Sequence, residues 1–325
     1  MTDSGEPNPS PRVSPPARRP SWPLRLLGVG GLAVGLLFAT DATLGWWFGL
    51  GRPVRLLADA EMEYRLAPDQ ATTRRGSRIE INGLGMRSSN FPAERGAATG
   101  LRVLVLGDSV LFGGAATDQA ELATEILADR LSSRLGSAVE VGNASAGSWG
   151  PANWRGFLRR HGSLDADLVV VVASSHDAAD TPTRDWTPPP PLNPALPALH
   201  ELWRRLNPPQ APASAPARDA PAPGSALPDL DLLLEEVERA GTPVRVLPFF
   251  TRSEASRGAS SESSAQIRQR ALRTGTPPDL AEPVARGDWT ADAYRDELHP
   301  NSVGQRILAD RLELLVLAWL DAERL

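Results

Sequence analysis

The sequence has no cysteine among its 325 residues, and it has only four histidines. The absence of cysteine excludes disulfides, thiolate metal sites and a cysteine nucleophile, so any covalent catalysis has to use an oxygen or nitrogen atom. The scarcity of histidine leaves few candidates for a general base near neutral pH. A catalytic base can therefore be searched for among these four residues.

A strong charge imbalance is also missing. The net charge is −5, and the 34 basic residues form no dense block beside aromatic side chains. A surface that follows the phosphates of a nucleic acid has no support in such a sequence, and we expect no nucleic-acid partner. The length suits one domain of roughly 200 residues or more with appendages.

The amino terminus changes abruptly from polar to apolar. Residues 1–23 are rich in proline and polar residues and are predicted to be a disordered cytoplasmic tail. Residues 24–50 include an uncharged stretch of 15 residues before Asp41, and with Asp41 tolerated the segment is long enough to span a bilayer. Arginines before it and tryptophans after it favour an uncleaved transmembrane signal anchor, with the remaining chain outside the cytoplasm. A cleaved secretory signal and a buried core helix are the alternatives.

The rest of the chain divides into a lead-in, residues 51–100, and a main domain, residues 101–325. In the lead-in only "SRIEI" is predicted as a strand. The main domain alternates apolar strand patterns with amphipathic helix patterns, which predicts an α/β fold: a three-layer sandwich with a central parallel sheet flanked by helices. A Pro/Ala-rich insertion at about 181–228 interrupts this alternation and holds one short predicted helix, "ALHELWRRL". Strands are predicted at 102–106, 138–143, 167–175 and 243–250, and helices at 117–135, 151–162, 229–241, 261–273 and 302–320.

Two short motifs could carry chemistry. "LGDSVLFGG" places Ser109 directly after the first core strand, and a serine becomes a nucleophile when an oriented base accepts its proton. His161 and His200 have no carboxylate in a convincing orienting position nearby. His299 follows Asp296 by three residues in "DELHPNSVGQ", just before the last helix, so a short turn can join the two side chains. Taken alone, each motif is also a common way to begin a helix.

Together, "GDS" after the first core strand and "DxxHP" before the last helix resemble the SGNH hydrolases, also called GDSL esterases and lipases. The resemblance covers about residues 60–321 and implies an SGNH/flavodoxin-like fold with Ser109 as nucleophile, His299 as base and Asp296 as its orienting acid. The preface "INGLGMR" resembles a membrane-anchored branch that includes polysaccharide O-acetylation proteins.

The same resemblance implies an oxyanion hole made by the amides of Ser109 and Gly147 and by the side chain of His176. Gly150 is the alternative match to the glycine of the family motif. His176, in "SSHD", stands where the family has asparagine. A neutral imidazole can still donate one hydrogen bond, so this role is chemically reasonable; the alternative is a loop histidine that never faces the substrate. Asp108 is expected to shape the nucleophile loop.

The predicted function is a serine esterase that acts on small-molecule or carbohydrate esters, in particular O-acetyl groups, outside the cytoplasm and without a metal or organic cofactor. Two alternatives share the same residues. One is an O-acetyltransferase that modifies an exported polysaccharide with a membrane acyltransferase as partner. The other is an inactive, membrane-tethered binding protein, which His176 favours and the intact Ser109, Asp296 and His299 oppose.

Overall fold

A computed structural model describes residues 22–89, 91–182, 197–207, 225–282 and 289–323. The predicted tail, apart from its last two residues, lies outside this range. So does most of the Pro/Ala-rich insertion. The other elements predicted from the sequence fall within the described residues.

Helix α1 spans Trp22–Phe48. Its segment Leu26–Phe48 is 23 residues long with a mean hydropathy of 1.6, long and apolar enough to cross a membrane. Large side chains such as Leu36 and Phe38 are exposed along it. The alternative of a buried core helix is therefore wrong, because such a helix packs its apolar side chains inside the protein. A membrane span or a signal sequence both fit.

The lead-in is more regular than the sequence predicts. It forms two antiparallel hairpins, β1 (Leu56–Asp59) with β2 (Glu63–Leu66) and β3 (Gln70–Arg74) with β4 (Ser77–Ile81). The predicted strand "SRIEI" is β4. The other three strands are only four or five residues long and mostly half-exposed, so they lack a strong strand pattern.

The main domain continues from the lead-in without a break in the core. In chain order its elements are β5 (Thr99–Gly107), α2 (Ser109–Phe112), α3 (Ala123–Leu135), β6 (Ala138–Ser145), α4 (Pro151–His161), β7 (Leu168–Ser174), α5 (Ala198–Leu206), α6 (Leu227–Arg239), β8 (Val244–Phe249), α7 (Arg252–Arg257), α8 (Glu262–Arg273), α9 (Pro278–Ala281) and α10 (Ser302–Glu323).

A parallel sheet of four strands lies at the centre, in the order β6-β5-β7-β8. Helices α3 and α10 pack on one face, and α4, α6, α8 and the lead-in pack on the other. Every residue of β7 is buried, as expected for a strand covered on both faces. The predicted three-layer α/β sandwich is confirmed.

One predicted helix start is wrong. Helix α3 begins at Ala123, not near Thr117, because Asp118 caps a separate 3-10 turn over Gln119–Glu121 by accepting a hydrogen bond from the Ala120 N–H. The predicted helix in the insertion is confirmed as α5, and the predicted closing helix is α10.

Candidate active site

Ser109 is the first residue of α2, immediately beyond the carboxyl end of β5. Asp108 caps this short helix: its Oδ1 accepts a hydrogen bond from the Val110 N–H at 2.8 Å. Gly113, with a φ of 72°, ends the helix and donates its N–H to the carbonyl of Ser109. The expectation that Asp108 shapes the nucleophile loop is confirmed.

Three buried side chains hold this loop from outside. Arg87 donates to the carbonyls of Gly114 at 2.6 Å and Thr117 at 2.7 Å, and also to that of Phe112. The Trp154 indole donates to the Gly107 carbonyl at 2.8 Å. The loop carbonyls are thus paired by side chains from the lead-in and from α4, which exclude water at the same time.

Gln305 makes the third contact and connects α10 to the nucleophile helix. Its Nε2 donates to the Val110 carbonyl at 3.0 Å, and its Oε1 accepts from the Ala123 N–H at 2.9 Å. Sequence reasoning missed these three supports. The one available signal was the arginine of "INGLGMR", which is Arg87.

His299 lies beside Ser109 although 190 positions separate them in the sequence. The Nε2 of His299 is 2.9 Å from the Ser109 Oγ, and the Nδ1 is 2.9 Å from Oδ2 of Asp296 and 3.0 Å from Oδ1. With its proton on Nδ1, the imidazole donates to the carboxylate and accepts from the serine hydroxyl. The structure therefore brings together Ser109, His299 and Asp296.

The loop of His299 is ordered by its own backbone. Arg295 donates its N–H to the His299 carbonyl at 2.8 Å, and Oδ1 of Asp296 accepts from the N–H groups of Leu298 at 2.9 Å and His299 at 2.8 Å. Asn301 then caps α10 by accepting from the N–H of Val303 at 2.8 Å. A helix-entry turn and a chemically competent histidine thus coexist in one short segment.

The carboxyl groups near the site have opposite electrostatic environments. Partial burial raises the pKa of Asp296, but hydrogen bonds from the backbone of His299 and Leu298 and from the imidazole outweigh it and lower the pKa to about 2. Burial raises the pKa of Asp108 to about 6. Burial also raises the pKa of Asp177, and the nearby Asp108 carboxyl raises it further. Asp296 is thus the group that supplies a stable negative charge to His299.

Two backbone N–H groups near the nucleophile, those of Ser109 and Gly147, donate to no group among the described residues. A Cβ added at Gly147 would meet only the Tyr64 hydroxyl, at 3.8 Å, so open space lies in front of this residue. The N–H of Gly150 instead donates to Oδ1 of Asn153 at 2.9 Å. Gly150 is committed to the start of α4, which leaves Gly147 as the better match for an oxyanion donor.

The other histidines occupy different environments. The side chain of His176, on the loop after β7, is 58% exposed, and its Nε2 lies 3.6 Å from Oδ2 of Asp180. Among the described residues it makes no hydrogen bond with Ser109. His161 is half-buried against Phe157, with 4.7 Å between ring centroids. His200 is exposed on α5.

An apolar cavity of about 290 Å³ adjoins the nucleophile helix. Phe112, the last residue of α2, lies in its wall together with Ala115 and Gly147. The lead-in forms the other walls, through Pro53, Val54, Leu56, Tyr64, Leu66, Arg74 and Ile79. The two lead-in hairpins, of which the sequence predicts only β4, therefore shape the cavity beside α2.

Comparison with known proteins identifies the family. The family model described as GDSL-like Lipase/Acylhydrolase matches residues 105–307, which include Ser109 and His299. No curated protein matches the chain.

Similar solved structures include an alpha/beta hydrolase enzyme from the metagenome of Lake Arreo, Spain, at 15% identity and a TM-score of 0.44, covering 67% of this chain and 95% of that one. A variant of an acetyl-xylooligosaccharide esterase from Geobacillus Stearmophilus has 13% identity and a TM-score of 0.44, with 67% and 95% covered. The lipase/acylhydrolase from Enterococcus faecalis has 16% identity and a TM-score of 0.40, with 66% and 94% covered. Because the family match extends from β5 into α10, the chain belongs to the GDSL-like lipase/acylhydrolase family and is a carboxylic ester hydrolase of the SGNH type.

Proposed function

We propose that this protein is a serine esterase that removes O-acetyl groups outside the cytoplasm, with Ser109, His299 and Asp296 as its catalytic residues. The observation that carries the proposal is the continuous series of hydrogen bonds from the Ser109 Oγ through both imidazole nitrogens of His299 to the Asp296 carboxylate, at 2.9 Å and 2.9 Å. This geometry matches what an activated serine requires.

In the first half of the reaction, the Ser109 Oγ attacks the ester carbonyl carbon while its proton passes to Nε2 of His299. The imidazolium formed is stabilised by the ionised Asp296. The oxyanion accepts hydrogen bonds from the N–H groups of Ser109 and Gly147, which donate to no group among the described residues, and the ring of His176 adds a third donor. Collapse of the tetrahedral intermediate breaks the ester C–O bond, and His299 returns the proton to the leaving alcohol.

In the second half, water attacks the acetyl–serine carbonyl. His299 accepts the proton of the water and then protonates Ser109 Oγ as the acyl–oxygen bond breaks, which releases acetate and restores the enzyme. The complete reaction consumes only the ester substrate and water. Asp296 stays ionised throughout, because its pKa is held at about 2.

The cavity of about 290 Å³ beside α2 bears on the size of the substrate that the site accepts. An acetyl group fills only a small part of it, so the cavity also has room for an apolar portion of the alcohol. The location outside the cytoplasm is supported by α1, which is long and apolar enough to cross a membrane, and by the arginines before this helix and the tryptophans near its end.

Two measurements on the full-length protein test this function. A fluorophosphonate should label Ser109, as mapped by mass spectrometry, and Ser109→Ala should remove the label. Incubation with an acetylated oligosaccharide should then release acetate into water. Labelling at another residue would overturn the catalytic assignment. Exclusive transfer of the acetyl group to an added oligosaccharide would overturn the hydrolase in favour of the acetyltransferase.

A further inference from the structure

We infer that α5 lies in the lipid–water interface of the bilayer that α1 crosses and that it holds the catalytic domain against the membrane surface. The inference rests on the proposal that α1 is a membrane span. It is carried by three observations: a contact between the two helices, a rigid connection to the lead-in, and the residues that α5 exposes.

The contact explains the one charge inside the apolar segment. Oδ1 of Asp41 accepts a hydrogen bond from the N–H of Leu199 at 2.8 Å, at the start of α5. Pro197, in the cap position of α5, provides no side-chain hydrogen bond. Asp41 therefore satisfies a free N–H at the positive end of a helix dipole. A carboxylate is costly in hydrocarbon but favourable in this role at the membrane boundary.

The length of the apolar segment places Asp41 in the outer part of the bilayer. The segment begins at Leu26, directly after Arg25, and the 15 uncharged residues from Leu26 to Thr40 rise about 22 Å at about 1.5 Å per residue. The hydrocarbon core of a bilayer is about 30 Å thick, so Asp41 lies within about 8 Å of the far hydrocarbon boundary. Helix α5 thus begins close to the level of the lipid headgroups.

The connection to the lead-in fixes α5 in this position. Glu201 of α5 accepts from Arg74 through both carboxylate oxygens, at 2.7 Å and 3.0 Å, and from the N–H of Gly51 at 2.5 Å. Arg74 also donates to the Gly49 carbonyl, just after α1. A Cβ at Gly49 would lie 1.6 Å from the Thr73 carbonyl oxygen, so the chain passes against β3 with no space between. Helix α5, the end of α1 and β3 therefore form one unit.

The exposed residues of α5 suit an interface. Trp203 is 59% exposed and Leu206 is 73% exposed, and by helical spacing they continue the apolar face that contains Leu199. Arg204 and Arg205 are exposed on the other side. Tryptophan at the headgroup level, leucine directed toward the acyl chains and arginine near lipid phosphates are the composition of an interfacial helix. Near the end of α1, Trp46 and Trp47 are exposed as well.

Site-directed spin labelling of the full-length protein tests the placement, because the chain has no cysteine of its own. Nitroxides are attached to Leu206→Cys on α5, to Leu36→Cys in α1 and to Leu272→Cys on α8, each in vesicles of phosphatidylethanolamine and phosphatidylglycerol. Collision with oxygen reports lipid, and collision with a nickel chelate reports water. The label at Leu206 is expected between the lipid value at Leu36 and the water value at Leu272.

A fully aqueous label at Leu206, with the label at Leu36 in lipid, would overturn the inference and leave the membrane span intact. Aqueous labels at both positions would overturn the span and the interfacial helix together, without bearing on the esterase chemistry.

The hydrogen bond from the Leu199 N–H to Asp41, which caps α5, gives a second, independent test. With the label at Leu206, Asp41→Ala should raise its mobility and nickel accessibility several-fold, because α5 loses the acceptor at its first turn. Asp41→Asn keeps an oxygen acceptor and should leave both values unchanged. Equal label mobility and nickel accessibility in the two variants would contradict the role of Asp41 as the cap of α5.

Discussion

The loop that carries Ser109 and the loop that carries His299 meet at a hydrogen bond of 2.9 Å, yet their surroundings are opposite. Asp108, beside Ser109, is buried, whereas the side chain of Asp296 is 57% exposed. Burial raises the pKa of Asp108 to about 6, and hydrogen bonds from the loop and its histidine lower that of Asp296 to about 2. The same residue type thus caps a helix on the buried side and supplies charge on the exposed side.

The sources of rigidity differ too. The nucleophile loop is held by distant side chains, those of Arg87, Trp154 and Gln305. The loop that carries His299 is held mainly by hydrogen bonds within a few residues of His299. Its longer-range hydrogen bonds involve neighbours of the histidine: Glu297 accepts from the N–H groups of Arg252 and Ser253, and Arg295 donates to the Gly113 carbonyl. Changes on the buried side should therefore act mainly on stability, and changes on the exposed side mainly on catalysis.

The largest effect is expected where the two loops meet. Ser109→Ala and His299→Ala should each lower kcat for 4-nitrophenyl acetate by roughly 10⁴-fold or more, and the double variant should lose little beyond either single one, because the two residues act as one unit. Circular dichroism should show an unchanged fold. Losses that multiply in the double variant would mean that the two loops act separately.

A smaller effect is expected at the exposed carboxylate. Asp296→Asn keeps an oxygen that accepts from the loop N–H groups but removes the charge opposite His299, so kcat should fall by about 10²- to 10⁴-fold. The melting temperature should change little, because the side chain is exposed. A large loss of stability with modest loss of kcat would reverse the assignment of roles to the two sides.

His176 should give a smaller effect still. Removal of a buried oxyanion donor costs about 10²- to 10³-fold in kcat, but this side chain is 58% exposed and faces Asp180, so His176→Ala should cost about tenfold. His176→Asn, which keeps an N–H donor, should retain most of the activity. If both variants match the wild type, His176 has no part in the oxyanion hole.

The smallest effect concerns the pH dependence of stability on the buried side. Because folding raises the pKa of Asp108, its contribution to the unfolding free energy is complete below about pH 4 and is lost as the pH rises through about 6. Asp108→Asn removes this titration and keeps an oxygen for the cap. The melting temperature of the variant minus that of the wild type should therefore increase from pH 4 to pH 7.

The exposed Asp321→Asn serves as the control for this measurement, since it changes the same groups on the surface of α10. A difference for Asp108→Asn that stays constant or falls with rising pH would contradict the raised pKa.

The sequence predicted the fold best where consecutive residues of a strand are all buried. The valine run of β7 and the apolar core of β5 predict a parallel sheet because such strands are covered on both faces. The strands β1 to β3 were missed because they are short and half-exposed. The turn between β3 and β4 does contain a glycine, Gly76, with a φ of 85°, but Glu63 at 59° and Asp69 at 52° adopt positive φ without being glycine and leave no such signal in the sequence.

Prediction of the active site from the sequence has the same limit. Ser109 and the Asp296–His299 pair lie in short motifs, so the residues could be found locally. Their supports join positions far apart: Arg87 contacts a carbonyl 27 residues away, Gln305 one that is 195 residues away, and Asp41 an amide 158 residues away. Such pairs follow from tertiary packing, which no local pattern records.

Gln305 also has a consequence for the protein during its synthesis. It joins the nucleophile helix to α10, and His299 itself follows Ser109 by 190 positions. At about 5–20 residues per second, a ribosome needs roughly 10–40 s to cover that interval. Throughout this time the growing chain carries Ser109 without His299, the proposed base, and without the glutamine that fixes the helix of the serine. The enzyme should therefore be inert while it is being synthesised, and its first turnover requires that the last helix has docked.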